Sequence, residues 1–292
     1  MGDMGKFSLD LIPEKTSDIV VDLIRVAGPQ DMLPEMLELT EKISERGYET
    51  SINLMMSSHY SKDDWERIID VVNKSNFKPT FLYFADSFGN LKPDDVLGIV
   101  TSLKKINNIK IGFHSHNQLQ LAFANTLKAI ELGIDIVDST ITGMGKGPGN
   151  CPTELLLGHY NHDLTYVNNF IEIEMKELME KYEWGYLHKY FICGLYNASP
   201  RYGEFVMRDK SSSLNDLVGR ITDQSDASRK SYKKDISNTK ITAIVPIKLR
   251  NERFADKNTQ LLGNKPLCHY IFETLLEVKK QHKNLEIIVY CS

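Results

Sequence analysis

His114 and His116 stand one residue apart at the end of an apolar segment, residues 110–117, which reads K-I-G-F-H-S-H-N. Side chains two apart on an extended strand share a face, so both imidazoles can reach a single metal ion. Asn117 and Gln118 then open a polar turn before a helix-like run over 119–132. Histidines at the C-terminal end of a strand that feeds a helix occupy the rim where parallel α/β barrels keep their chemistry. One strand–helix unit later, residues 133–150 read G-I-D-I-V-D-S-T-I-T-G-M-G-K-G-P-G-N. An apolar strand there runs into a loop carrying Gly143, Gly145, Gly147 and Gly149 and ending at Asn150. Glycines at that density allow positive φ and let the backbone approach a ligand closely.

The elements that must position these residues follow a regular rhythm. Strands are expected over 18–26, 49–56, 79–85, 110–117 and 134–141, each followed by polar or glycine-rich sequence. Helices are expected between them over 32–46, 61–73, 93–103 and 119–132, with Ser61 and Asp64 fitting a capping box. Strand–helix alternation at about 30-residue spacing is the pattern of parallel βαβ units. Further helices are expected over 151–158 and 170–182. Between 206 and 238 the composition turns to Ser, Asp, Lys and Arg, which predicts a polar linker with one short helix over 214–221. A fresh apolar strand at 241–246 opens a second domain, and residues 284–292 supply its next strand.

The 292 residues are 41% hydrophobic and 25% charged, enough apolar content for a packed core. A net charge of −4 gives no basis for binding nucleic acid or a membrane surface. The four cysteines, Cys151, Cys193, Cys268 and Cys291, are widely spaced and read as reduced thiols. With no apolar run of about 20 residues and no basic–apolar leader, a cytoplasmic protein is expected.

Residues 84–93 (F-A-D-S-F-G-N-L-K-P), 112–117 (G-F-H-S-H-N), 121–126 (L-A-F-A-N-T) and 143–150 (G-M-G-K-G-P-G-N) resemble the pyruvate-forming aldolases and lyases. These are the group of 4-hydroxy-2-oxovalerate aldolase and hydroxymethylglutaryl-CoA lyase. The resemblance covers about residues 5–205 and implies a (β/α)8 TIM barrel performing retro-aldol or Claisen-type cleavage. It implies that His114 and His116 ligate Mn2+ or Mg2+, with Asn150 near or on the metal. It also implies that the glycine loop shapes the substrate pocket. Asp86 sits at the rim of another strand, where it reads as a catalytic residue of the pocket or as a solvated turn aspartate. The implied substrate is a 2-oxo acid or sugar acid. The family's first strand ends in a D-x-x-x-R-D-G type motif, whose aspartate completes the metal set and whose arginine stabilises the enolate. Nothing like it precedes Asp18, so the barrel, assigned to residues 1–205, is expected to lack its first strand. A homo-oligomer or a complementing chain is then expected, and a degenerate barrel serving as a scaffold is the competing class.

Residues 241–271 carry a second resemblance. An apolar strand, a basic loop, K-N and then G-N-K-P-L are similar to the start of sugar cytidylyltransferases such as acylneuraminate cytidylyltransferase. This implies a Rossmann-like nucleotidyltransferase domain beginning at 239–292, with CTP as its substrate. Lys248, Arg253, Lys257 and Asn258 match its nucleotide-binding positions. The combined expectation is an incomplete TIM barrel fused to the beginning of a cytidylyltransferase, in surface-glycan sugar synthesis.

Overall fold

The computed structural model describes residues 2–3, 9–206, 208, 211–223, 240–247 and 261–291. It divides into two units, residues 1–231 and 232–292. In the first unit, strands β1 (Gly2–Asp3), β2 (Leu23–Gly28), β3 (Glu49–Leu54), β4 (Phe81–Asp86), β5 (Lys110–Ser115) and β6 (Ile136–Val137) form one sheet. The strands lie in chain order and every neighbouring pair is parallel. Helices α1 (Leu33–Glu45), α2 (Lys62–Lys74), α3 (Pro93–Leu103) and α4 (Ala122–Glu131) connect β2 to β6. A parallel sheet whose strands follow chain order, joined by helices, is the arrangement of part of a TIM barrel.

Residue parity divides the sheet into two chemically different faces. Val26, Ile52, Leu82 and Phe84 on one side share registers with their neighbours and pack with Phe113 into the core beneath the helices. Arg25, Ser51, Asn53, Tyr83 and His114 alternate with them and point to the opposite face. Phe84 is the centre of the helix-side core: fully buried, stacked on Phe113 at 4.5 Å between centroids and met edge-on by Trp65 at 6.5 Å. Phe84→Ala removes those contacts and leaves a cavity, so it is expected to cost about 3–5 kcal/mol. Urea unfolding followed by tryptophan fluorescence measures it, and a loss below 1 kcal/mol would contradict this packing.

Three expected elements differ in extent. The first strand begins at Leu23, not residue 18, because pairing with β3 starts at Leu23 opposite Glu49; Val20 is 92% exposed. The strand expected over 134–141 shortens to β6, although Asp135 N–H and Asp138 N–H still donate to Ile111 and Phe113 carbonyls. The helix expected over 170–182 is interrupted by a π turn at Ile171–Met175 between α6 (Thr165–Phe170) and α7 (Lys176–Lys181). The capping box is present, with Asp64 N–H donating to Ser61 Oγ at the start of α2. After β6 the first unit also contains α5 (Thr153–His159), α8 (His188–Leu195), α9 (Pro200–Val206) and α10 (Leu214–Asp223).

The second unit contains β7 (Ile241–Ile247), a small antiparallel pair β8 (Leu261–Leu262) and β9 (Lys265–Pro266), α11 (Leu267–Gln281) and β10 (Leu285–Cys291). β7 and β10 pair in parallel over seven residues, so the unit is a β–α–β arrangement. Lys248, Arg253, Lys257 and Asn258 lie outside the described residues. Among the described residues, no helix is long and apolar enough to cross a membrane. Cys151, Cys193 and Cys268 are free thiols.

Candidate functional site

His114 follows the polar parity of β5, and His116, two residues on, keeps it just past the strand end. Their Nε2 atoms approach to 3.3 Å. Two nitrogen ligands about 2.1 Å from one cation sit roughly 3.0–3.4 Å apart for angles between octahedral and tetrahedral. His114 is fixed from behind, because its Nδ1 lies 2.9 Å from Asp138 Oδ2. A carboxylate can only accept, so Nδ1 carries the proton and Nε2 presents a lone pair toward His116. Burial, and then the neighbouring His114, push His116 down to about 3, so its imidazole is neutral and able to ligate.

Asn150 is brought beside this pair by the glycine loop. An antiparallel bridge joins its backbone to His116, and Asn117 N–H donates to the Gly149 carbonyl at 3.0 Å. Its side-chain Nδ2 donates to the Met144 carbonyl at 3.1 Å, while its buried Oδ1 has no hydrogen-bond partner. An unpartnered buried amide oxygen is costly unless something else uses it. The loop is tight around this side chain: a Cβ on Gly145 would lie 2.4 Å from Asn150 Nδ2. Gly149, at φ 82°, could carry a Cβ only 2.1 Å from the Gly143 carbonyl oxygen. Gly147 donates nothing to the pair but accepts from Gly185 N–H at 3.1 Å, and Trp184 Nε1 donates to the Thr142 carbonyl at 3.0 Å. These bonds pin the loop from outside.

Arg25, Tyr83 and Asp138 complete the same face, and none of them was singled out from sequence. Arg25 Nη2 donates to Asp138 Oδ1 at 3.1 Å, and Nη1 donates to Oδ2, the oxygen shared with His114. The Arg25 guanidinium lies 3.8 Å over the Tyr83 ring. Burial raises the Asp138 carboxyl, but hydrogen bonds from His114 and Arg25 outweigh it and hold the group at about 2. Burial and then the Asp138 charge push Tyr83 up to about 12, so its hydroxyl keeps its proton. Ser51 Oγ and Asn53 Oδ1, of the same parity, are also buried without partners. One signal was available: Arg25 interrupts an apolar strand, and a charge at that position must face something polar.

Asp86 does not join the site. Its register partner is Ser115, so it points to the helix side, opposite His114, whose partner is Ala85. There it is fully buried and its two oxygens accept from the N–H groups of Asn90 (3.0 Å) and Leu91 (3.1 Å). Burial pushes it up to about 7 against those donors. Asp86 therefore shapes the loop after β4, and the catalytic place expected for it is corrected on that ground.

The donor set fits a divalent cation. Among the described residues no group of three or more His, Cys, Asp and Glu side chains is gathered for a metal. The two imidazoles, with the unpartnered Asn150 oxygen on the residue bridged to His116, instead offer nitrogen and oxygen donors of the types that divalent cations take.

The buried, neutral His116 makes stability pH-dependent. Its folded value of about 3 lies below the ordinary 6.5, so its contribution is complete above pH 6.5 and is lost as pH falls toward 3. Asp138 acts with the same sign between 3.8 and about 2. From pH 7.5 to pH 5, His116 is expected to cost up to about 2 kcal/mol. Urea midpoints at both pH values for the wild type and His116→Gln measure it; equal pH slopes in the two would rule it out.

Residues 12–179 match the protein family described as HMGL-like. The chain is 32% identical over 147 residues to a 4-hydroxy-2-oxovalerate aldolase of Geobacillus genomosp. 3, covering 49% of this chain and 42% of that protein. It is 30% identical over 139 residues to an oxaloacetate decarboxylase of Mycobacterium tuberculosis, covering 47% and 40%. The chain thus spans about two fifths of the length of these curated relatives. Among solved structures, the N-terminal domain of a Bacteroides vulgatus protein described as an aldolase superposes with a TM-score of 0.63 at 28% identity, covering 75% of this chain and 74% of that one. The carboxyl transferase domain of Rhizobium etli pyruvate carboxylase shares the fold, with a TM-score of 0.54 at 16% identity over 68% of this chain and 36% of that one.

Proposed function

The chain belongs to the HMGL-like family, and we propose that its polar sheet face is a divalent-metal site for carbon–carbon cleavage of a 2-oxo acid, releasing pyruvate. The observation that carries the reading is the 3.3 Å approach of the His114 and His116 Nε2 atoms, with a buried, unpartnered amide oxygen on Asn150, whose backbone bridges to His116. Oxaloacetate and 4-hydroxy-2-oxovalerate, named for the two relatives, are both 2-oxo acids whose cleavage between C3 and C4 leaves the enolate of pyruvate and releases carbon dioxide or acetaldehyde. When bound, Mn2+ or Mg2+ would supply Lewis-acid charge for the carboxylate and ketone oxygens of such a substrate. His114 and His116 would hold the ion, and Asp138 would keep His114 in its ligating tautomer. Asn150 would offer the amide oxygen, and the loop over 143–149 would cover the reacting carbons from water.

Coupled assay of pyruvate release from 4-hydroxy-2-oxovalerate and oxaloacetate with added Mn2+ tests the reading. Release is expected from the wild type and its loss in His114→Ala/His116→Ala. Release that survives the double substitution would sink it and favour a scaffold.

For the second unit we propose the beginning of a CTP-dependent sugar-acid cytidylyltransferase, so that one polypeptide would serve two steps of acidic-sugar synthesis. The parallel β7–α11–β10 arrangement supports this, as does the basic stretch containing Lys248, Arg253, Lys257 and Asn258. Assembly with a second copy or a complementing chain belongs to the same proposal and is read by sedimentation.

A further inference from the structure

We infer that Arg25 is a positioning residue for His114, acting through Asp138 across the polar sheet face from β2 to the end of β6. The inference rests on the metal reading above for its meaning but on separate contacts for its evidence. β2 and β6 are separated by β3, β4 and β5. In a flat sheet, four steps would put them about 19 Å apart, further than an arginine and an aspartate can bridge. The ion pair forms only because the sheet curls toward its polar face.

Three contacts fix the height and orientation of the guanidinium. The Tyr83 ring lies directly on β5 at Gly112, where a Cβ would come within 2.6 Å of three ring carbons. The guanidinium lies over the same ring, 3.8 Å from its centre. Its fork then engages both oxygens of Asp138. Tyr83 thus touches both the strand that carries His114, at Gly112, and the guanidinium that holds Asp138. Because Oδ2 accepts from both Arg25 and His114, Asp138 cannot rotate away from His114 without breaking the fork. A freely rotating aspartate would leave the imidazole free to exchange tautomers and to turn its Nε2 away from His116.

The arrangement depends on features that lysine lacks: a planar cation that stacks, and two parallel donors on one carboxylate. Arg25→Lys keeps the charge and loses both. Arg25→Met keeps the bulk and loses the charge. Two readouts separate positioning from general weakening of the fold. The first is the tautomer of His114 in the metal-free protein, from 15N chemical shifts of labelled histidine. The second is Mn2+ affinity by calorimetry.

The wild type is expected to show His114 as the single Nδ1–H tautomer. Arg25→Lys and Arg25→Met should show a mixture and bind Mn2+ about tenfold more weakly, the scale on which second-layer partners of metal ligands act. Wild-type tautomer and affinity in both variants would overturn the inference. Should Arg25→Met fail to fold, Gly112→Ala provides the same test by displacing Tyr83 from beneath the guanidinium, and an unchanged His114 tautomer there would count against it equally. If the wild type binds no Mn2+, the metal reading fails, while the tautomer comparison still decides the role of Arg25.

Discussion

The His114→Ala/His116→Ala variant is expected to bind Mn2+ at least 100-fold more weakly than the wild type and to remain folded. Substituting second-layer partners alone costs about 10–100-fold in metal affinity, so removing two direct ligands must cost at least as much. The fold should survive because both rings lie on the polar face, away from the core around Phe84 and Phe113. Removing His116 also removes a buried Nδ1 that has no hydrogen-bond partner, which offsets part of the lost packing. Calorimetry together with urea unfolding separates the two effects. Affinity within a factor of three of wild type would place the metal elsewhere.

Gly149→Ala is expected to weaken both the fold and the site, although the residue bears no side chain. At φ 82° any L side chain is strained, and the added Cβ would meet the Gly143 carbonyl oxygen at 2.1 Å. Backbone on both sides of that contact is engaged. Asn150 N–H donates to the same Gly143 oxygen, and the Gly149 carbonyl accepts from Asn117 N–H. The loop cannot relieve the clash without moving Asn150 away from His116. A stability loss of roughly 1–3 kcal/mol is expected, with Mn2+ affinity down by about tenfold. Gly158→Ala is the control, since its Cβ would meet nothing closer than 3.8 Å. A Gly149→Ala protein with wild-type affinity would show that the loop does not deliver Asn150 to the site.

The parts of this site visible in the sequence are those fixed by local geometry. Two-residue spacing put His114 and His116 on one face whatever the rest of the chain did, and glycine density marked the loop that ends at Asn150. Arg25 and Asp138 are 113 residues apart, and their pairing depends on how far four intervening strand-to-strand steps curl the sheet. No local pattern encodes that distance. Asp86 was misplaced for a simpler reason. The end of a strand suggests the rim, but parity decides the face, and Asp86 shares its parity with Phe84 and Leu82 rather than with Tyr83. The apolar run starting at residue 18 predicted a strand too early because β3 offers its first partner only at Glu49.

The most direct test of the central claim is electron spin-echo modulation of Mn2+ bound to this chain, with and without 15N-labelled histidine. Two imidazole nitrogens on the ion would give 14N modulation that disappears when only histidine is labelled, and that is the result predicted. Bound Mn2+ showing no nitrogen modulation, or modulation that persists after labelling, would contradict a site built on His114 and His116.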